Sequence, residues 1–378
     1  KDSLNVPKLR FEGYNEEWVE KRIEKVLKIK HGKDKKAIET QDGRYPILAT
    51  SGEIGRSNTF LWNKPCVLIG RKGTINKPQY MDIPFWTVDT LFYSDVFQEN
   101  NAKYLYYLFN TINWEKYDES TGVPSLSAKT IERIKIKISN NAQEQEKIAS
   151  FLTLIDKKIE KQKELVELLK KYKRGLLSQI FSQKLRFKDE NGNNYPDWEE
   201  KRLGDICTTF SGGTPSITHQ EYYNGDIPFI KSGEIHSDKT EMFITDIGLK
   251  NSSAKLVKKG DLLFALYGAT SGEVDISKIN GAINQAILCV KSDTLNLNYL
   301  KELLSYNKNQ ILCKYLQGGQ GNLSADIFKA LKFKFPIKKE QDKISDFLIN
   351  YDKITHIEEH LLNLYINYKQ GLLQQLFI

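Results

Sequence analysis

From Ile148 onward, apolar residues fall at 148, 152, 155, 159, 166, 169, 176 and 180, in steps that mostly alternate between four and three. That spacing is the seam of a coiled coil. It predicts one long helix over 141–182 and a second over 337–378, where the same pattern recurs. The seam positions are Ile148, Leu152, Ile155, Ile159, Val166, Leu169 and Leu176 in the first helix, and Ile344, Leu348, Tyr351 and Leu372 in the second. Gln162 and Lys173 interrupt it. Gly175 and Gly371 lie inside the pattern, where each costs about 1 kcal/mol relative to Ala; a glycine at the same place in both helices predicts a close helix crossing. Elsewhere the period shortens. The runs PCVLIG (65–70), TVDTLFYS (87–94), DIPFI (226–230), DLLFALY (261–267) and AILCV (286–290) are bounded by Gly, Asn and Pro and predict strands. IERIKIKI (131–138) and FKALKFKF (328–335) alternate as half-buried strands do, whereas AKYLYYLFN (102–110) and NYLKELLSY (298–306) predict short helices.

The two long helices are copies of each other. EQEKIASFL (144–152) returns as EQDKISDFL (340–348), and the match continues in register through Asp156/Asp352, Tyr172/Tyr368, Gly175/Gly371 and Phe181/Phe377. Upstream, TGVPSLSAKTIERIKIKI (121–138) resembles GGQGNLSADIFKALKFKF (318–335). KLRF stands at 8–11 and 184–187, followed by Trp18, Lys21, Arg22 in one case and Trp198, Lys201, Arg202 in the other. The period is far longer than that of a solenoid, so this is a duplicated module. The expected order is a first module at 1–140, a helix at 141–182, a second module at 183–336 and a helix at 337–378. The expected class is α+β: two similar domains separated by two long helices that form an antiparallel coiled coil, with a pseudo-two-fold internal repeat. A helix of about 38 residues is about 57 Å long, so one carries the chain away from the first module and the other carries it back.

Composition narrows the picture. The chain is 40% hydrophobic and 28% charged, as globular proteins are. Runs such as LLFALY (262–267) are far too short to cross a bilayer, so no membrane role is expected, and no secretory signal pattern opens the chain. The four cysteines are scattered, which fits a cytoplasmic location and buried apolar thiols. The net charge of +8 lies mostly in the first module and its helix. It permits nucleic-acid binding without requiring it.

Local clusters make that case. LIGRKGTINK (68–77) sets Arg71, Lys72, Thr74 and Lys77 on a glycine-bounded loop after a strand. Glycine lets backbone approach phosphate closely, and Arg can take both guanine acceptors. LYGATSGEV (266–274) is its expected counterpart in the second module, with Tyr267, Thr270 and Ser271. ATSGEIGR (49–56) adds Ser51, Gly52 and Arg56; IKSGEI (230–235) adds Lys231 and Ser232. STGVPSLS (120–127) and QGGQGNLS (317–324) precede the last strand of each module, the latter with Gln317, Gln320 and Asn322. Any one of these loops is equally well explained as a turn. Together they put different polar chemistry on matching scaffolds, as two readers of different base sequences would. Dimeric DNA readers address half-sites about one helical turn apart, about 10 bp.

Catalytic signatures are missing from the sequence. There is no Walker A pattern, no GxGxxG and no Pro-Pro, hence no Asn/Asp-Pro-Pro-aromatic motif of amino-methyltransferases. The five histidines, including the i, i+4 pair His356 and His360, form no metal or triad spacing. No metal site is expected. The paired segments GVPSLSAKTIERIKIKI…EQEKIASFLTLIDKKIE (122–160) and GQGNLSADIFKALKFKF…EQDKISDFLINYDK (319–353), with DWEEKRLGDI (197–206), resemble the specificity subunit of a type I restriction-modification system. The resemblance spans the chain. It implies two target-recognition domains, each reading one half of a bipartite site in double-stranded DNA. It implies helices that act as spacer and as docking site for two methyltransferase subunits, and restriction/translocase subunits in the full complex. It implies a non-catalytic subunit with no cofactor of its own, S-adenosylmethionine, ATP and Mg²⁺ belonging to the partners of an adenine-methylating complex. A stand-alone DNA-binding protein and a coiled-coil adaptor of the same architecture are the rival readings. The chain begins at Lys1 rather than Met, so a few preceding residues are expected to be missing, and that end is expected to pack near the tail of the second helix.

Overall fold

The protein is described by a computed structural model over residues 5–315 and 322–377. Gln317 and Gln320 lie outside the described residues. The chain divides into two compact units, one holding the residues up to Leu165 together with those from Glu358 onward, the other Val166–Ile357.

Unit 1 opens with β1 (Val19–Arg22), β2 (Leu27–Lys30), β3 (Glu39–Thr40), β4 (Tyr45–Ala49) and β5 (Gly52–Ser57). It continues with β6 (Cys66–Gly70), β7 (Gln79–Met81), β8 (Trp86–Thr87) and β9 (Leu91–Val96). Then come helices α1 (Ala102–Phe109) and α2 (Ala128–Arg133), strand β10 (Lys135–Ile138) and the first part of the long helix α3 (Ala142–Phe181). Two four-stranded sheets have the orders β2-β9-β6-β7 and β3-β5-β4-β8, and β1 pairs with β10. Strand β6 shows why its sequence is apolar without a break. Val67 and Ile69 point into a core shared with the helices, while Cys66 and Leu68 point into a second core. Successive side chains of a strand face opposite ways, so a strand with a core on each face needs apolar residues at every position.

Unit 2 contains the rest of α3, then β11 (Glu199–Arg202), α4 (Leu203–Ile206), β12 (Thr208–Ser211), β13 (Tyr223–Ile230) and β14 (Phe243–Ile244). These are followed by α5 (Asp246–Lys250), β15 (Lys255–Val257), β16 (Leu262–Ala265), β17 (Val274–Ile276), β18 (Gly281–Ile283) and β19 (Ile287–Lys291). Helices α6 (Leu297–Tyr315) and α7 (Ala325–Ala330), strand β20 (Lys332–Phe335) and the first part of helix α8 (Lys338–Leu376) complete it. The order β12-β19-β16-β17 repeats the first sheet of unit 1 strand for strand, and β11–β20 repeats β1–β10. In the second sheets β13 and β18 are parallel, as β4 and β8 are. Strand β16 has its own two cores, with Leu262 and Phe264 on one side and Leu263 and Ala265 on the other. The units differ at a sheet edge, where β15 of unit 2 is matched in unit 1 by the single bridge Trp62–Phe85.

The recurring LSA of the sequence is a helix start. Ser127 and Ser324 accept from the backbone N–H of Thr130 and Ile327, capping α2 and α7. One expectation fails here. Residues 298–306 are not a short helix, because α6 runs for 19 residues; past the expected end Ile311 is still buried in the core, so the apolar face persists.

The repeated EQ and KLRF motifs meet in space. Glu144, in the first turn of α3, is fully buried and takes Arg10 Nε at 2.7 Å and Nη2 at 3.0 Å, Trp18 Nε1 at 3.2 Å and Ser139 Oγ at 2.5 Å. Glu340, in the first turn of α8, is equally buried and takes Arg186 Nε at 2.8 Å and Nη2 at 3.0 Å, and Trp198 Nε1 at 3.1 Å. The neighbouring glutamines repeat too. Gln145 and Gln341 accept from the backbone N–H of Asn101 and Asn296, at 2.8 Å and 2.9 Å. A buried carboxylate is tolerated when it is both paired and hydrogen-bonded, and a helix N-terminus favours negative charge.

In each unit the two long helices lie antiparallel. In unit 1, Asp156 meets Lys369 at 2.5 Å and, further along α3 but earlier on α8, Gln162 Nε2 donates to Glu358 Oε2 at 2.6 Å. In unit 2, Lys173 meets Asp352 at 2.7 Å, and Tyr351 Oη donates to the Leu169 carbonyl at 2.9 Å. The polar residues that interrupt the seam are therefore cross-helix partners. Ile148, Leu152, Val166, Leu176, Ile344, Leu348 and Leu372 are buried, whereas Ile155, Ile159, Leu169 and Tyr351 are half-buried. The expected close crossing at Gly175 and Gly371 is absent: a side chain at either position would meet nothing within 4 Å. Near both, long Lys–Asp pairs span the helices, so no close backbone approach is made. The N-terminal segment does lie at the tail of α8, with Leu9 N–H donating to the Gln375 carbonyl at 3.0 Å.

Candidate nucleic-acid interface

In unit 1 the loops gather around the turn between β8 and β9. Lys33 N–H donates to the Thr87 carbonyl at 2.8 Å, Val88 N–H to Leu48 at 3.0 Å and Arg71 N–H to Thr90 at 2.8 Å. Gly32 sits so close to this turn that a Cβ would fall 2.1 Å from the Val88 carbonyl oxygen, so only glycine fits. Segment 120–127 closes the cluster, with Leu126 N–H bonded to the Arg71 carbonyl at 2.9 Å and Gly73 N–H to Pro124 at 2.8 Å. The Thr50 hydroxyl reaches the Lys72 carbonyl at 3.2 Å. The structure thus brings together three of the expected loops: 49–52, 71–77 and 120–127.

Within that cluster Ser51, Lys72 and Lys77 are exposed, Thr74 is half-buried, and Gly52 has the left-handed φ of +109° that favours glycine. Arg56 is exposed and paired with Glu53 at 2.9 Å. Arg71 is committed within the protein: its Nη1 bonds the Asp89 carboxylate and also donates to the Asp89 carbonyl at 3.3 Å.

Unit 2 builds the same turn between β18 and β19. Leu266 N–H donates to the Ala286 carbonyl at 2.8 Å, and Leu323 N–H donates to the Leu266 carbonyl at 2.9 Å. These are the bonds that Arg71 makes in unit 1. The strand pairing agrees, since Gly70 faces Leu91 as Ala265 faces Ile287. The counterpart of Arg71 is therefore Leu266, which is buried, and not the GATS stretch that follows. Matching the two loops on their glycines places them out of register. Tyr267 is half-buried against the helix-side core, Thr270 and Ser271 are half-buried, and the Ser271 hydroxyl is spent on the Leu266 carbonyl at 3.1 Å. Asn322 is exposed. Lys231 is exposed and Ser232 half-buried in a loop that Glu234 closes by accepting from Lys231 N–H and the Thr240 hydroxyl, both at 3.0 Å.

Several residues passed over in the sequence join these loops. His236 lies between Asp275 at 3.0 Å and Glu273 at 3.3 Å, tying the 231–240 loop to the β16–β17 hairpin. Lys308 beside Glu273, and then His236, hold its carboxyl below the usual range against the opposing effect of burial. The Thr214 hydroxyl donates to Gln285 at 2.6 Å. Their chain separations hid these pairs. The basic run at Lys33, Lys35 and Lys36 was visible as charge and was not singled out. Burial pushes the thiols of Cys66 and Cys289 up to about 12 and that of Cys207 up to about 11, as expected of packing cysteines, whereas Cys313 is exposed. Among the described residues no group of His, Cys, Asp and Glu could hold a metal ion, and no helix is long and apolar enough to cross a membrane.

Comparison with known proteins agrees with the internal repeat. Residues 15–170 and 195–364 match the family described as type I restriction modification DNA specificity domain. The chain is 23% identical to the type I restriction enzyme MjaVIII specificity subunit of Methanocaldococcus jannaschii, over 91% of this chain and 88% of that protein. It is 29% identical to the MjaIX specificity subunit of the same organism, over 47% of this chain and 44% of that protein. Its fold is similar to the crystal structure of a type I restriction-modification system S subunit from M. genitalium, with a TM-score of 0.67 at 18% identity over 99% of both chains. A chain from a study of complex assembly and conformational transition of the type I R-M system matches with a TM-score of 0.59 at 13% identity, over 95% of this chain and 97% of that one.

Proposed function

Because the chain belongs to the type I restriction-modification DNA specificity family and is a specificity subunit of that kind, we propose that each of its two units reads one half of a split site in double-stranded DNA. The observation that carries this reading is the duplicated scaffold with unlike loops. Equivalent backbone bonds hold equivalent turns in both units, while the side chains on them differ from Arg71 and Asp89 in one to Leu266 and Gln285 in the other. A base-reading site needs a fixed frame and variable donors and acceptors. Lys72 and Lys77, exposed on their loop, suit phosphate contacts.

The helices are the docking site for two methyltransferase subunits in this reading. Besides the seam they present a second set of apolar residues to solvent. In unit 1 these are Leu154, Leu165, Leu364, Ile366 and Tyr368; in unit 2 they are Leu168, Tyr172, Phe347, Ile354 and Ile357. Leu154 is 64% exposed and Ile357 62%, apolar side chains that a partner subunit could cover. Methyl transfer, and with it S-adenosylmethionine, belongs to those subunits; ATP and Mg²⁺ belong to the restriction/translocase subunits.

Exchanging residues 19–138 for the corresponding part of another member, in the presence of the partner subunits, tests the reading by methylation mapping. One half of the modified site should change and the other should stay. A protein that assembles and methylates but loses both halves would mean that the two units form a single reading surface.

A further inference from the structure

The turn that organises each loop cluster carries one exposed polar residue. In unit 1 it is Asp89, in unit 2 Gln285, and strand register makes them equivalent: Leu91 and Ile287 follow at the same distance and face Gly70 and Ala265. Their surroundings are equivalent as well. Thr90 and Ala286 accept the matching bonds from Arg71 and Leu266. A glycine of the preceding loop packs on the turn in both units, Gly32 against Val88 and Gly212 against Ile283.

Neither side chain is left to rotate freely. Asp89 is 65% exposed, yet Arg71 grips its carboxylate. Gln285 is exposed, yet the Thr214 hydroxyl donates to its Oε1 at 2.6 Å. Exposed pairs of this kind contribute little to stability. What they do is fix direction at low entropic cost, which is what recognition of a base edge requires.

We propose that Asp89 and Gln285 are base-reading residues, one in each unit, and that Arg71 and Thr214 are their positioning residues. The inference rests on the half-site reading above and deepens it. A carboxylate can only accept, so Asp89 selects a base with an amino group in the major groove, cytosine N4 or adenine N6, against guanine and thymine, which present oxygen there. Gln285 keeps one lone pair on Oε1 and both amide hydrogens, which match adenine N6 and N7. Arg71 then acts on DNA through Asp89 and does not itself take a guanine.

The test is selection of bound duplexes from a randomised library at one salt concentration, using the full chain with its partner subunits, followed by sequencing. Wild type is compared with Asp89→Asn, Asp89→Ala and Gln285→Glu; the first and last are nearly isosteric at exposed positions. Either Asp89 substitution should lower binding to the wild-type site by about tenfold to about a hundredfold and change the preferred base at one position of one half-site only. Gln285→Glu should relax one position of the other half-site from adenine alone to adenine or cytosine. Arg71→Lys, which keeps the charge and loses the planar guanidinium that holds both the Asp89 carboxylate and its carbonyl, should blur the same position as Asp89→Asn. Unchanged base preferences in the Asp89 and Gln285 variants, or weaker binding to all sequences alike, would overturn the inference while leaving the half-site reading intact. A wild type that selects no two-part site would overturn both.

Discussion

Unit 1 and unit 2 can be laid against each other at two places with opposite results. At the start of the long helices, Glu144 and Glu340 gather an arginine fork and a tryptophan N–H with distances that agree to within 0.1 Å, although the loop between Arg and Trp is longer in unit 2. At the loop clusters the backbone bonds agree and the side chains do not. Arg71 is matched by Leu266, Asp89 by Gln285, and Lys77 by Glu273, which flank the same strand with opposite charge. The difference teaches where each unit is constrained. A buried carboxylate cannot lose a partner without leaving charge uncompensated. An exposed side chain on a backbone-bonded turn can be replaced at little cost to folding.

The largest effect should come from attacking the shared part. Glu144→Ala strands Arg10, whose side chain is only 13% exposed, and should cost about 3–5 kcal/mol. Glu340→Ala should cost unit 2 a similar amount. Chemical denaturation of the two variants checks the equivalence, and a mild loss in only one of them would break it. Unit 1 should be the more sensitive, because Ser139 adds a hydroxyl that Glu340 lacks.

A smaller and deliberately unequal pair lies further along the helices. Lys173 and Lys369 occupy the same place in the repeat and pair with Asp352 and Asp156. Lys173 alone also serves Glu302, a carboxylate in the core of unit 2, at 3.0 Å. Lys173→Ala should therefore cost roughly 2 kcal/mol and Lys369→Ala under about 1 kcal/mol, read as the shift in unfolding midpoint. Equal losses would mean that Glu302 is fully satisfied by Lys301.

The smallest expected effect separates the units by acid. Lys308, and then His236, hold the Glu273 carboxyl below the ordinary glutamate value, and unit 1 has Lys77 at that place. A depressed carboxylate stabilises the fold above its unfolded value, and the increment is lost as pH falls through the folded one. Glu273→Gln should remove that acid-sensitive increment, under about 1 kcal/mol because the group is partly exposed. Unfolding curves across the acid range should then converge with wild type at low pH. A constant gap at all pH values would mean that packing, not charge, is lost.

Much of this could be read from the chain. The ends of α3 and α8 fall within a residue or two of the segments read from the seam, because a long run of periodic apolar positions has one structural solution. The strands Cys66–Gly70 and Ile287–Lys291 were legible because burial on both faces demands unbroken apolar sequence. Other features were not. KLRF and EQ were visible as repeats, but that Arg10 closes on Glu144 depends on folding across more than a hundred residues. LYGATSGEV is the counterpart of the loop at 71–77 as expected, but its register is set by strand pairing and not by the shared glycine, so Arg71 is matched by Leu266 and Lys77 by Glu273. The paired glycines misled for a related reason: repetition shows that a position is matched and not what it touches.

The matched anchors also have a meaning for inheritance. Any coding segment that runs from one KLRF to the next EQ carries its own arginine, tryptophan and glutamate, so its product closes the same anchor whichever copy it came from. Downstream of that segment the chain continues alike in both copies, EQEKIASFL in one and EQDKISDFL in the other. A loop cluster exchanged between such anchors therefore arrives already fitted to its frame, with no need to rebuild the anchor one substitution at a time.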